Sequence, residues 1–201
     1  LALVTEEDDR GLSFAFYVNG VALFAKGANW IPCDALPARQ TRVVLEDLLS
    51  SAVEANMNMI RVWGGGQYES EDFYDLCDEK GLLVWQDFMF SCSTYPATAD
   101  FLSSVEEEAR YQVKRLRDHA CIALWCGNNE DLGALNWFSA SRDNRDRYLV
   151  DYDRLTEGVL GRVVDECDPT RSFWPSSPCG GRGDYSDNWH DDSRGDMHYW
   201  Q

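Results

Sequence analysis

Positive charge is scarce in this sequence: 18 Lys and Arg stand against 35 Asp and Glu, a net charge of -17. Such a field repels phosphate, which argues against nucleic-acid or anionic-membrane partners and leaves neutral ligands such as sugars unopposed. No apolar run approaches the length that spans a bilayer. The seven cysteines form no C-x-x-C pair, so neither a zinc site nor a small disulfide framework is expected. Cys77, Cys121, Cys126 and Cys167 lie inside apolar runs and read as small core hydrophobes. No Asn-x-Ser/Thr sequon occurs. With the odd cysteine count, that leans towards a cytoplasmic rather than a lysosomal or secreted form. Leu1 to Arg10 does not read as a signal peptide, and no internal repeat, G-x-G-x-x-G loop or G-x-S-x-G elbow is visible. The start at Leu1-Ala2-Leu3-Val4 and the stop in an aromatic run both read as those of a fragment.

What the sequence does hold is an alternation of short apolar runs with longer amphipathic ones. Ser13 to Val18, Asn19-Gly20 and Val21 to Ala25 form a hairpin signal with a type I′ turn. Candidate parallel strands follow at Phe24 to Ile31, Met59 to Trp63, Leu82 to Trp85, Ile122 to Cys126, Phe173 to Ser177 and Asp196 to Trp200. Between them, Thr41 to Asn56 carries Val44, Leu45, Leu48, Leu49 and Ala52 at helical spacing. Ser70 opens a helix that Gly81 closes, and Ser103 with Glu106 reads as a capping box for a helix to Asp118. Tyr148 to Cys167 is another helix, weakened by Gly158 and Gly161. Pro178 to Ser193 is loop-like.

This rhythm means βα units with a parallel sheet, hence an α/β fold, either doubly wound or a (β/α)8 barrel. A full barrel takes roughly 250 residues. About six strands here would make the (β/α)8 barrel incomplete.

In such sheets chemistry sits at the C-terminal strand ends. There the sequence sets Asn29 and Trp30, then Arg61 and Trp63, then Gln86 and Asp87, then Asn128, Asn129 and Glu130, and last His198, Tyr199 and Trp200. Glu130 fits a general acid, its carboxyl raised in pKa beside an apolar strand end; it equally fits a helix start that favours the dipole. The asparagine pair matches a sugar hydroxyl or a turn. Trp63 and Trp137 fit sugar stacking or packing, and Arg61 a structural ion pair or support for a carboxylate. Asp87 fits a loop cap better than a catalytic role, and His198 is open between core and site. His119 and His190 read as solvated. No set of residues has metal-ligand spacing.

The run Gly127-Asn128-Asn129-Glu130 after an apolar strand resembles the acid/base signature of the β-mannosidase branch of glycoside hydrolase family 2. Lys26-Gly27-Ala28-Asn29-Trp30-Ile31-Pro32 and Asn58 to Gly66 resemble that family's first two barrel strands. Phe73 to Asp78, Leu83 to Phe88 and Asp196-Met197-His198-Tyr199-Trp200 follow in the family's order. The resemblance covers Phe14 to the end and implies a retaining hydrolase acting on oligosaccharides or glycoprotein glycans, without a cofactor. It implies Glu130 as acid/base, Asn129 at the 2-hydroxyl, Arg61 beside the nucleophile's charge, and Trp63 and Trp137 around the terminal mannose. Asn29, Asp87, His198 and Trp200 complete the expected substrate-binding set. Residues 1–20 would be the tail of a preceding β-sandwich and 21–201 a barrel cut before the seventh strand, where the family's nucleophile stands. The chain alone is therefore expected to be inactive. Two alternatives remain open: a relative acting on other β-glycosides, and a sugar-binding homologue that has lost catalysis.

Overall fold

The computed structural model describes residues 1–186 and 188–200. The chain opens with five short strands: β1 (Ala2–Val4), β2 (Glu7–Asp8), β3 (Gly11–Leu12), β4 (Ala15–Val18) and β5 (Val21–Leu23). β1, β4 and β5 form one antiparallel sheet, and β2 pairs with β3. Asn19 and Gly20 both take positive φ, 51° and 79°, as the expected hairpin turn requires.

The alternating units follow: β6 (Gly27–Trp30), α1 (Arg42–Glu54), β7 (Met59–Val62), α2 (Glu71–Lys80), β8 (Leu83–Asp87), α3 (Ala99–Leu116), β9 (Ile122–Cys126), α4 (Asp131–Trp137), α5 (Ser139–Asp143), α6 (Arg145–Leu155), α7 (Arg162–Cys167) and β10 (Ser172–Trp174). β6 to β10 pair in sequence order as one five-stranded parallel sheet. β9 is buried along its whole length, which is why it reads as an unbroken apolar run.

Several expectations need correction. Asp196 to Trp200 is not a sixth strand: Asp196 alone makes a bridge, antiparallel to Cys179. α3 begins at Ala99 behind Thr98, so Ser103 and Glu106 lie inside it rather than forming a capping box; Phe101 and Leu102, packed on the core, draw the helix start forward. Ser70 stands at the N-cap of α2, but its side chain makes no capping bond; Gly81 closes the helix in the left-handed conformation, at φ 71°. Of the α1 stripe only Leu45 and Leu49 are buried, while Val44 and Leu48 remain exposed. Between α6 and α7 the chain stays helical through a π-type stretch, Thr156–Gly161. Gly161 serves there because a Cβ would stand 3.0 Å from the Phe173 ring.

Strand alternation divides the core in two. Ile60, Val62, Val84 and Trp125 pack against the helices with Leu45, Leu76, Val113 and Val164. Met59, Trp85, Leu124 and Cys126 face the other way, where Phe14 and Phe16 meet Trp85 at 5.7 and 6.4 Å between ring centroids. The N-terminal hairpin thus covers part of the sheet face that carries Arg61. All seven cysteines are free, and Cys77, Cys121, Cys126 and Cys167 are buried as expected. No helix among the described residues is long and apolar enough to cross a membrane.

Candidate active site

Register assembles the site. Asn29 on β6 stands beside Arg61 on β7, and Arg61 beside Trp85 on β8, so one row of side chains crosses the sheet on one face. Asp87 lies two residues beyond Trp85, on the same face and nearer the strand's C-terminal end. There it is fully buried and pairs with Arg61, Nη2 to Oδ2 at 2.8 Å and Nε to Oδ1 at 3.3 Å. Asp87 also accepts from the Trp85 indole at 2.9 Å and from the Gly64 amide at 2.9 Å. Burial opposes the Arg61 charge, yet Asp87 above all holds its pKa above the ordinary value. The Arg61 cation also lies over the Trp85 ring, 5.6 Å from its centroid.

The turn after β9 splits the asparagine pair between structure and site. Asn128 is consumed by the backbone: its Nδ2 donates to Pro175 O at 3.1 Å, while Oδ1 accepts from the Asp131 amide and from Ser176 Oγ. Asn129 faces the cavity, with Oδ1 accepting from Arg61 Nη2 at 3.0 Å and Nδ2 donating to Cys92 Sγ at 3.3 Å. Gly127 makes the approach possible, since a Cβ there would stand 2.2 Å from Pro175 O.

Glu130 caps α4 in the left-handed conformation, φ 65° and ψ 10°. A non-glycine residue held there costs about 1–3 kcal/mol, a strain that clusters at working sites. The Glu130 amide donates to Ser177 O at 2.9 Å, and its carbonyl accepts from Ala134. The side chain therefore turns away from the helix axis instead of capping it. The residue is 7% exposed, with Oε1 at 2.6 Å from His198 Nδ1 and Oε2 accepting from the Cys92 thiol at 3.4 Å. Asp131, the next residue, is buried on the far side of the turn and accepts from the Ser93 amide; burial pushes its carboxyl well above the ordinary range.

These groups line a cavity of about 750 Å³, within the range of small-ligand sites. Asn29, Arg61, Trp63, Asn129, Glu130, His198 and Trp200 all reach it. Trp63 owes its position to Gly65, where a Cβ would lie 2.1 Å from the indole ring. Asp87 stays beneath, bonded to Arg61 and Trp85, which do line the cavity. Trp137 does not line it: its ring meets Trp189 at 6.0 Å, and Trp189 in turn meets His198 at 5.8 Å. Trp137 ends the seven-residue α4 that Glu130 precedes, about 10 Å along the helix.

Sequence reasoning overlooked Cys92, Ser177 and Asp196, which also line the cavity. Cys92 arrives on the loop after β8, with φ 54°. Ser177 follows β10, and Asp196 opens the run Asp196-Met197-His198-Tyr199-Trp200. His119 is not solvated as expected: its Nδ1 lies 2.7 Å from Asp78 and its Nε2 3.3 Å from Glu71. These bonds raise its pKa against the opposing effect of burial. Asp78, His119 and Cys121 bring their possible ligand atoms within 4.8 Å of one another, a convergence the sequence spacing did not reveal. The His119–Asp78 bond and the Cys121 amide on Asp78 at 2.7 Å account for it. The group precedes β9, on the rim opposite Glu130.

Comparison with known proteins fits this geometry. No protein-family model matches the chain. It is 44% identical to a β-mannosidase of Bos taurus over 96% of its own length, and 41% identical to β-mannosidase B of Thermothelomyces thermophilus over the same share. Its backbone superposes on a β-D-mannosidase of Dictyoglomus thermophilum with a TM-score of 0.87 at 44% identity, covering 98% of this chain. It superposes less closely on β-glucuronidase 3 of Bacteroides uniformis, at TM-score 0.62 and 24% identity, a likeness of fold. The chain spans 23% of the length of the mammalian and fungal relatives named and of the Dictyoglomus chain. Over nearly all of its length, this chain belongs to the β-mannosidase family.

Proposed function

We propose that the protein carrying this chain is a retaining exo-glycoside hydrolase that releases terminal β-linked mannose from oligosaccharides or glycoprotein glycans, with Glu130 as general acid/base. The observation that carries the reading is the Glu130 carboxyl, turned off its helix and set between His198 and Cys92 on a cavity of sugar size. Its relatives' names support the choice of sugar. We read the five-stranded sheet as part of a (β/α)8 barrel over 21–201, and residues 1–20 as the tail of a β-sandwich domain.

In this reading Glu130 protonates the departing glycosidic oxygen and then takes a proton from the attacking water. Asn129, its amide orientation set by Arg61, meets the sugar's 2-hydroxyl. Trp63 and Trp200 offer aromatic faces to the ring, and Asn29 a further polar contact at the rim. Trp137 has no part in it. The second carboxylate of a retaining mechanism is not assigned to Asp87 or Asp196. The oxygens of both are occupied by donors: Arg61, Trp85 and Gly64 at the first, Ser177, Trp174 and Cys179 at the second.

The test is Glu130→Gln in the intact protein, assayed on β-mannosides of graded leaving groups. Poor leaving groups should lose about 10²–10⁴-fold in turnover, activated aryl groups far less, since these need no proton to depart. Unchanged turnover of an alkyl β-mannoside would end the assignment. A panel of aryl β-glycosides fixes the sugar.

A further inference from the structure

Among the described residues, four that are not glycine take positive φ: Asn19, Asn56, Cys92 and Glu130. Asparagine enters that conformation readily, and both asparagines stand in turns, one in the N-terminal hairpin and one just past α1. Cysteine and glutamate enter it at a cost. Yet Cys92 and Glu130 meet in the cavity, Sγ to Oε2 at 3.4 Å. Two strained residues in contact mark a pairing that the surrounding fold maintains.

The backbone delivers the thiol. Past β8 and β9 the two segments stay paired: the Asn129 amide donates to Phe90 O at 3.0 Å, and the Cys92 amide to Asn129 O at 2.8 Å. The side chains then fix where the protons lie. Arg61 has no acceptor, so Asn129 turns Oδ1 to it, at 3.0 Å, and Nδ2 to the loop. Nδ2 donates to Ser91 Oγ at 3.4 Å and to Cys92 Sγ at 3.3 Å, and Ser91 Oγ donates to Sγ at 3.3 Å. The sulfur therefore receives two donors. Burial first, and then the Glu130 carboxyl, raise the Cys92 pKa against those two donors, so the thiol keeps its own proton at neutral pH. That proton goes to Glu130 Oε2, while Oε1 is 2.6 Å from His198 Nδ1. Each oxygen of the carboxyl thus has its own partner.

We propose that Cys92 is a positioning residue for the acid/base: its S–H, itself set by Asn129 and Ser91, holds Glu130 Oε2 and with it the plane of the carboxyl that faces the glycosidic oxygen. The arrangement couples the residue that meets the sugar's 2-hydroxyl to the one that delivers the proton. The catalytic consequence rests on Glu130 being the acid/base; the S–H contact does not.

The experiment has two arms, both on the intact protein. The first reads the infrared S–H stretching band of Cys92, isolated as the difference between the native protein and Cys92→Ala. A thiol that donates to a carboxyl absorbs at lower frequency than an unbonded one, and in Glu130→Ala the band should move up. The second arm is kinetic. Cys92→Ala should lower kcat on alkyl β-mannosides about 10-fold, with KM and the turnover of activated aryl β-mannosides largely kept. Cys92→Ser retains a hydroxyl donor and should recover part of the loss. Cys92→Gly removes the thiol and relieves the left-handed backbone, so it should fold as well as Cys92→Ala and be as slow. A native band at the frequency of an unbonded thiol, or one that Glu130→Ala leaves in place, overturns the proposal even where Glu130→Gln behaves as an acid/base variant should. Full turnover of alkyl β-mannosides in Cys92→Gly, or a loss shared equally by all leaving groups, overturns it too.

Discussion

Asp87 holds Arg61 from beneath the cavity floor, through a two-pronged ion pair whose carboxylate is wholly shielded from solvent. Removing Arg61 leaves Asp87 charged where water does not reach, and removing Asp87 leaves the largely buried Arg61 without its counter-charge. Asp87→Asn should therefore cost about 3–5 kcal/mol in denaturant unfolding, and Arg61→Met a similar amount. The double variant should recover much of the sum, because two neutral groups leave no orphaned charge. Strict additivity would show that the pair is not coupled.

The glycine after Trp63 has a narrower effect. Gly65→Ala places a methyl carbon where the indole lies, against the far edge of a half-buried side chain. Stability should change by about 1 kcal/mol or less, while the Trp63 indole resonance shifts and affinity for the cognate sugar falls. An unmoved indole signal would show that the loop yields in its place.

Asp131 sets a pH dependence. Its folded-state pKa is raised by burial, and Asp87 and Glu130 add to the rise. A raised pKa means the native state holds the proton more tightly than the unfolded chain. The contribution is thus fully present below the unfolded value, about 3.9, and fades as pH climbs towards the folded one. Asp131→Asn lacks this titration. Its melting temperature relative to the native protein should rise from pH 4 to neutrality and then level off; a constant offset would refute the assignment.

Glu106 behaves in the opposite sense. Arg162 and Arg110 bring its carboxyl down to about 2, tying α3 to α7 through the shared partner Glu166. Its contribution exists above the ordinary glutamate range and is lost as pH falls through about 2. The cluster is open to solvent, so Glu106→Gln should cost less than about 1 kcal/mol, and less still in high salt. A loss that salt leaves untouched would point to packing instead.

Much of this was readable from the chain because the signals are local. Asn19-Gly20 specifies its turn by φ alone, and β9 announces itself because both its faces are buried. What escaped depends on how distant segments return. Trp137 is close to Glu130 in sequence, but the helix between them carries it off along its axis. Asp196 to Trp200 has the apolar character of a strand, yet only Asp196 finds a backbone partner. Cys92, Ser177 and Asp196 belong to loops whose approach to Glu130 is set by the turns after β8 and β10. No spacing rule encodes those distances. Asn128 and Asn129 show the limit most sharply, since identical neighbours take opposite duties according to which way the turn faces them.

The N-terminal strands bear on chemistry they never touch. The Leu12 amide donates to Ser193 O at 2.8 Å, and Gly11 lies so close to Ser193 that a Cβ would stand 1.8 Å from the same oxygen. Ser193 is three residues before Asp196 in the segment that delivers His198. Any bulk introduced at Gly11 would thus act as a wedge, levering that segment, and the His198 it carries, away from the sheet from the other end of the sequence.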